Sequence, residues 1–140
     1  MVIARYLADT SAFGRIPYVP AIEERLGNLM DRGLLATTAM LDLEALWSAR
    51  SPADYEQTLT FRASSLEYVE TTDEHWQRAL EVNRILAAKA MLRSVKHPDL
   101  LIAAVAEIEG LTLLHYDADF DHVAVITGQP TEWIVPQGSI

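Results

Sequence analysis

The chain has 140 residues, half of them hydrophobic and 22% charged, which suits one core-forming domain over residues 1–140 and excludes a disordered chain. It contains no cysteine, so disulfides, thiolate catalysis and cysteine-held zinc or iron–sulfur centres are ruled out. The net charge of −9 argues against coating nucleic acid by charge alone, while leaving room for an enzyme that meets phosphates through a bound cation, or for a basic protein partner.

In chain order, strands and helices alternate. Residues 2–8 read as a buried strand, and Pro20 opens an amphipathic helix to about residue 32, with Gly33 past its end. A short strand at 34–38 leads, through Thr38 as N-cap, into a helix carrying Glu44. Ser51 and Pro52 start a further helix to about Ala63, followed by a brief strand at 66–70. Thr72 or Asp73 caps a long helix to about Leu92, with Trp76, Leu80, Asn83 and Ala87 at helical spacing. His97-Pro98-Asp99 begins a helix ending at Gly110; then come a strand at 112–116, a short helix from Asp119 and a strand at 132–135. Strands separated by helices predict an α/β fold, with a parallel sheet covered on both faces. No uncharged apolar run approaches the roughly 20 residues of a membrane span, and Arg5 and Asp9 interrupt the apolar N-terminal run. Neither a membrane segment nor a signal peptide is therefore expected, and the expected setting is cytoplasmic.

Four acids stand at turning points of apolar stretches. Asp9 ends the first strand, Glu44 interrupts the segment 40–47, Asp99 opens an apolar helix, and Asp117 closes the strand at 112–116. Buried carboxylates without partners lose their hydration, and four together repel one another unless a cation sits among them. A hard divalent cation with oxygen ligands meets that need. Each acid also has a plain structural reading. Met40, Leu43, Glu44 and Trp47 share a helical face that should look inward, whereas Asp42 points away from Glu44 and should be solvated. An acid after proline in a first helical turn is favoured by the helix dipole, and Asp9-Thr10-Ser11 is good capping chemistry. Asp117-Ala118-Asp119-Phe120-Asp121 starts like an EF-hand loop, but His122 and Gly128 stand where that loop needs glycine and glutamate. Asp119 is left to cap its helix or support the site from its edge, and Asp121 to face solvent. Singly these acids read as structural; jointly, two at strand ends and two on apolar helices, they read as a site beyond the carboxyl ends of the sheet.

Four segments, Leu7-Ala8-Asp9-Thr10-Ser11-Ala12, Glu44 on its helix, His97-Pro98-Asp99-Leu100-Leu101-Ile102-Ala103-Ala104 and Leu114-His115-Tyr116-Asp117-Ala118-Asp119-Phe120-Asp121, occur in an order that resembles the PIN-domain ribonucleases, above all the VapC-type toxins of bacterial toxin–antitoxin pairs. The likeness spans nearly the whole chain. It implies a three-layer α/β/α fold around a mostly parallel twisted sheet of about four to five strands. It further implies a Mg²⁺-dependent endoribonuclease (Mn²⁺ as possible substitute) in which Asp9, Glu44, Asp99 and Asp117 are the catalytic, metal-holding acids. The substrate would be RNA, whether tRNA, rRNA or mRNA, cut by activated water. Ser11 would be the hydroxyl beside the first acid, orienting it, and His115 stands where many relatives carry threonine. The implied partners are a second copy, as homodimer, and a cognate basic antitoxin that inhibits the enzyme through an apolar groove and a cation placed among the acids. Trp47, Tyr55, Phe61 and Trp76 are candidates for that groove.

Substrate binding needs positive charge near the acids. Arg84, Lys89, Arg93 and Lys96 precede Asp99 as a candidate basic lip, and Arg15 follows Asp9 as a candidate phosphate contact. Two other functions fit clustered acids in an α/β chain. A receiver-like phosphoacceptor domain would need a late lysine, and none follows Lys96. A non-catalytic metal- or protein-binding module would bind divalent ions without cutting RNA.

Overall fold

A computed structural model describes residues 1–140. Five strands, β1 (Tyr6–Ala8), β2 (Leu35–Thr38), β3 (Glu67–Val69), β4 (Thr112–His115) and β5 (Thr131–Trp133), form one sheet in the order β3-β2-β1-β4-β5. Every adjacent pair is parallel. Parallel neighbours need crossover connections, and here they are supplied by α1 (Thr10–Phe13), α2 (Pro20–Asp31), α3 (Ala39–Trp47), α4 (Pro52–Ser65), α5 (Asp73–Ala88), α6 (His97–Glu109) and α7 (Asp119–Thr127).

Two cores lie on opposite faces of the sheet, because successive strand residues point to opposite sides. Leu7, Ala36 and Leu113 face one core with α3, α5, α6 and α7; Ala8, Leu35 and Leu114 face the other with α1 and α2. This is the expected three-layer α/β/α arrangement. Helix α6 is buried along its length from Asp99 to Ala106, so its N-terminal turn is carried to the sheet's carboxyl edge. The chain winds outward from β1 through β2 to β3, then returns to place β4 on the other side of β1. Such a reversal leaves a crevice between the two strand ends.

The boundaries differ from expectation in instructive ways. The first strand begins at Tyr6 because the backbone of Ile3 and Ala4 donates to the Glu67 carboxylate (3.0 and 2.8 Å) rather than to a neighbouring strand. Helix α5 stops at Ala88, short of Leu92, where Ala90 takes a left-handed conformation (φ 57°) and Met91 donates back to the carbonyl of Leu86. Its buried stripe is His75, Ala79, Val82 and Leu86, one residue before the stripe expected from Trp76. His75 can be buried because Thr72 N–H donates to its Nδ1 (2.9 Å) and Glu109 meets its Nε2 (3.1 Å). Helix α4 buries only Arg62, whose guanidinium reaches Asp42 (Nε–Oδ1 2.8 Å) and Thr37 (3.0 Å) and lies 4.9 Å from the centre of the Phe13 ring. Asp42, expected to be solvated, is thus a half-buried ion-pair partner that also accepts from the Thr37 hydroxyl at 2.7 Å.

Candidate metal centre

The four expected acids arrive at the crevice from four elements. Asp9 follows β1 and caps α1; it is buried, its Oδ2 accepts from Ser11 N–H (2.9 Å), and its own N–H is tied to the Leu114 carbonyl of β4 (2.9 Å). Asp117, just beyond β4, accepts from Asp119 N–H (2.9 Å). That tight turn brings two carboxylates to one place. Asp99, in the first turn of α6, is buried yet has no hydrogen bond from the chain to its carboxylate. Glu44, half-buried on α3, accepts from the Thr10 hydroxyl (3.1 Å).

Carboxylate oxygens of Asp99, Asp117 and Asp119 lie within 4.8 Å of one another. Asp9 and Glu44 stand outside that trio, but their charges reach it. Burial pushes the Asp99 carboxyl up to about 7, and Asp9, Asp117, Glu44 and Asp119 add repulsion in that order. Glu44 is raised by burial and then by Asp9, with Thr10 and Lys96 opposing. Asp119 is raised by burial and then by Asp117, with His122 and Lys96 opposing. All five acids therefore share one field. A set of oxygen donors that closely spaced, without a neutralising cation of its own, suits a hard divalent ion.

Asp119 was expected at the edge or as a helix cap and instead belongs to the closest cluster; Ala118 occupies the cap position without a side-chain bond. The available signal was its place two residues after Asp117, which an Asx-type turn converts into proximity. Thr10 was likewise missed as the partner of Glu44. Ser11 acts differently from expectation: its backbone N–H holds Asp9, while its hydroxyl accepts from Tyr116 N–H (2.9 Å) and so clips the two strand ends together. His115 is fully buried between Phe120 and Trp133. Burial pushes its imidazole pKa down, Nδ1 accepts from Asp117 N–H (3.2 Å), and Nε2 has no partner. It supports the Asp117 turn from beneath.

Helix α3 does not face inward as expected. Leu41 and Leu46 are buried, while Leu43 and Trp47 are exposed, the latter at 91%. The helix carries apolar residues on every side, so spacing alone left its face undetermined, and Glu44 reaches the crevice from the helix flank. The four aromatics do not form one groove. Phe61 lines a cleft of about 900 Å³ with Phe13 and Tyr18, beside Thr10 and Glu44. Tyr55 belongs to a separate hollow with Leu46 and Ala49, and Trp76 lies on the outer side of α5. Of the basic stretch, only Lys96 bears on the site acids; Arg84, Lys89 and Arg93 are exposed.

Residues 6–126 match the PIN domain family. The chain is 50% identical over 135 residues to Ribonuclease VapC21 of Mycobacterium tuberculosis, covering 96% of this chain and 97% of the relative. It resembles the crystal structure of DNA-bound VapBC from Salmonella typhimurium with a TM-score of 0.74 at 19% identity, over 95% of this chain and 100% of that one. The crystal structure of VapBC-5 from Mycobacterium tuberculosis, a member of the VapBC family of toxin–antitoxin systems, matches with a TM-score of 0.61 at 25% identity, over 92% of this chain and 96% of that one.

Proposed function

This chain belongs to the PIN-domain family, among the VapC ribonucleases, and from that premise we propose that it is the ribonuclease toxin of a toxin–antitoxin pair, a Mg²⁺- or Mn²⁺-dependent endoribonuclease that hydrolyses RNA phosphodiesters at the Asp9–Glu44–Asp99–Asp117 site. The carrying observation is the approach of three carboxylates within 4.8 Å, one of them raised to about 7 by burial and then by its acidic neighbours. Asp99, Asp117 and Asp119 would hold the ion, with Asp9 and Glu44 at its margin. When bound, such an ion lowers the pKa of water and neutralises charge on the phosphate.

The chain's own groups do the rest. Ser11 N–H and Thr10 Oγ1 fix Asp9 and Glu44, so that little reorganisation is needed when substrate arrives. Asp99, raised to about 7, is roughly half protonated at neutral pH in the absence of a cation and would give up that proton on loading. Glu44, made more basic by burial and Asp9, takes a proton from the attacking water. The cleft beside Thr10 and Glu44, with Phe13, Tyr18 and Phe61 in its walls, would receive an apolar antitoxin segment whose cation enters the acidic site. The VapBC-5 match supports such a partner. Exposed Leu43 and Trp47 on α3 are apolar surface that a homodimer would bury.

The test is cleavage of labelled RNA in Mg²⁺ by the parent and by Asp99→Asn, with circular dichroism confirming fold. Activity in the parent that falls at least about 100-fold in the variant supports the reading. Equal activity in both overturns it, and saturable divalent binding without cleavage across an RNA panel would favour the non-catalytic module.

A further inference from the structure

A site built of five acids repels RNA as readily as it attracts metal, so the substrate's backbone needs cations fixed nearby. Four arginines are not fully exposed: Arg15, Arg25, Arg62 and Arg78. Arg25 pairs with Glu132, Arg62 with Asp42, and Arg78 with Glu81 and Glu107. Arg15 alone has no acidic partner, in a chain with 20 acids against 11 lysines and arginines. It is nonetheless held. Its Nε donates to the Ser11 carbonyl (2.9 Å), and its guanidinium carbon lies 4.6 Å from the centre of the Tyr116 ring. Its two terminal nitrogens make no hydrogen bond within the chain. Both of its anchors belong to the site: Ser11 holds Asp9, and Tyr116 precedes Asp117 and is clipped to Ser11.

Lys96 is a second cation near the acids. It is the extended residue before α6, three positions ahead of Asp99, exposed and without an ion pair. Its charge acts on Glu44 and on Asp119, which come from different elements. Two cations therefore stand at the site: a guanidinium fixed on Ser11 and Tyr116, the neighbours of Asp9 and Asp117 along the chain, and a free ammonium whose charge reaches Glu44 and Asp119.

We propose that Arg15 and Lys96 form a two-cation clamp that binds single-stranded RNA through the phosphates flanking the scissile one. The proposal rests on the ribonuclease reading above. The division of labour follows from the side chains. A planar guanidinium already stacked and tethered presents paired N–H donors to one phosphate with little entropy left to lose. A lysine ammonium is a mobile point charge that tracks a second phosphate. Neither need touch the reacting atoms, so both should govern binding more than chemistry.

The experiment is single-turnover cleavage of a short single-stranded RNA in Mg²⁺ over a range of protein and NaCl concentrations, for the parent, Arg15→Ala, Lys96→Ala and the exposed-surface control Arg32→Ala. Mn²⁺ binding is measured on each. The expected result is a half-saturating concentration raised about 10-fold by each site variant, a saturating rate within about twofold of the parent, and a salt slope shallower by about 0.7 per cation removed. Mn²⁺ binding should be unchanged. Half-saturation and salt slope equal to the control overturn the clamp. So does a loss in Arg15→Ala matched by weaker Mn²⁺ binding, which would mean that Arg15 acts only by steadying Ser11 and Asp9. A parent that does not cut RNA at all defeats the ribonuclease reading first, and is read before any variant.

Discussion

Asp42 and Asp99 are both acids on largely apolar helices, drawn away from water, yet their surroundings are opposite. Asp42 meets the Arg62 guanidinium and the Thr37 hydroxyl, so its charge is answered where it lies. Asp99 meets Asp9, Asp117, Glu44 and Asp119, and nothing in the chain donates to it. The first acid fastens α4 to the sheet. The second is left in a state that only a proton or a cation relieves, and an unrelieved charge that the fold tolerates marks the place where the molecule acts.

The contrast can be broken at either end. Removing one member of the satisfied pair should have the largest effect on folding: Arg62→Ala leaves Asp42 half-buried and uncompensated, and should destabilise by about 3–5 kcal/mol in urea titration. The double variant Arg62→Met with Asp42→Leu should lose less than the sum of the singles. On the unrelieved side, Glu44→Gln should lower the saturating cleavage rate about 30-fold, or about 2 kcal/mol, with little change in melting temperature.

Asp99→Asn should do the reverse to stability. The folded state binds the Asp99 proton more tightly than the unfolded chain, so raising pH through the interval from about 4 to about 7 removes a proton the fold prefers to keep, and metal-free stability falls. Asparagine avoids that loss. Without metal at pH 8 the variant should be more stable by about 1–2 kcal/mol, the gap narrowing as pH falls toward 4. Thr10→Val is the mildest change. Loss of its hydrogen bond to Glu44 should slow cleavage severalfold, about 1 kcal/mol, and leave melting unchanged.

Much of this was legible in the sequence. Alternating strands and helices, with Pro20, Pro52 and Pro98 at helix starts, gave the element order, and acids ending apolar runs pointed to the crevice. What stayed hidden depended on neighbours. In α5, two stripes satisfy helical spacing, and the one containing His75 is buried only because Thr72 and Glu109 satisfy its ring. In α3, hydrophobic residues on all sides concealed that Leu43 and Trp47 face outward. Asp42 looked solvated because Arg62, twenty residues on, could not be paired with it from spacing. Asp119 looked peripheral because the turn set by Asp117 is a matter of backbone geometry.

The central claim is that the unrelieved carboxylates exist to take up a divalent cation at Asp99's expense of a proton. Calorimetric titration of Mn²⁺ into the parent and into Asp99→Asn, in two buffers of different ionisation enthalpy at pH 6 to 8, measures it directly. The account predicts saturable binding that tightens as pH rises toward 7, with up to about one proton released below that pH, and with both features lost in the variant. Binding that is absent in the parent, or equal and proton-neutral in both proteins, would contradict it.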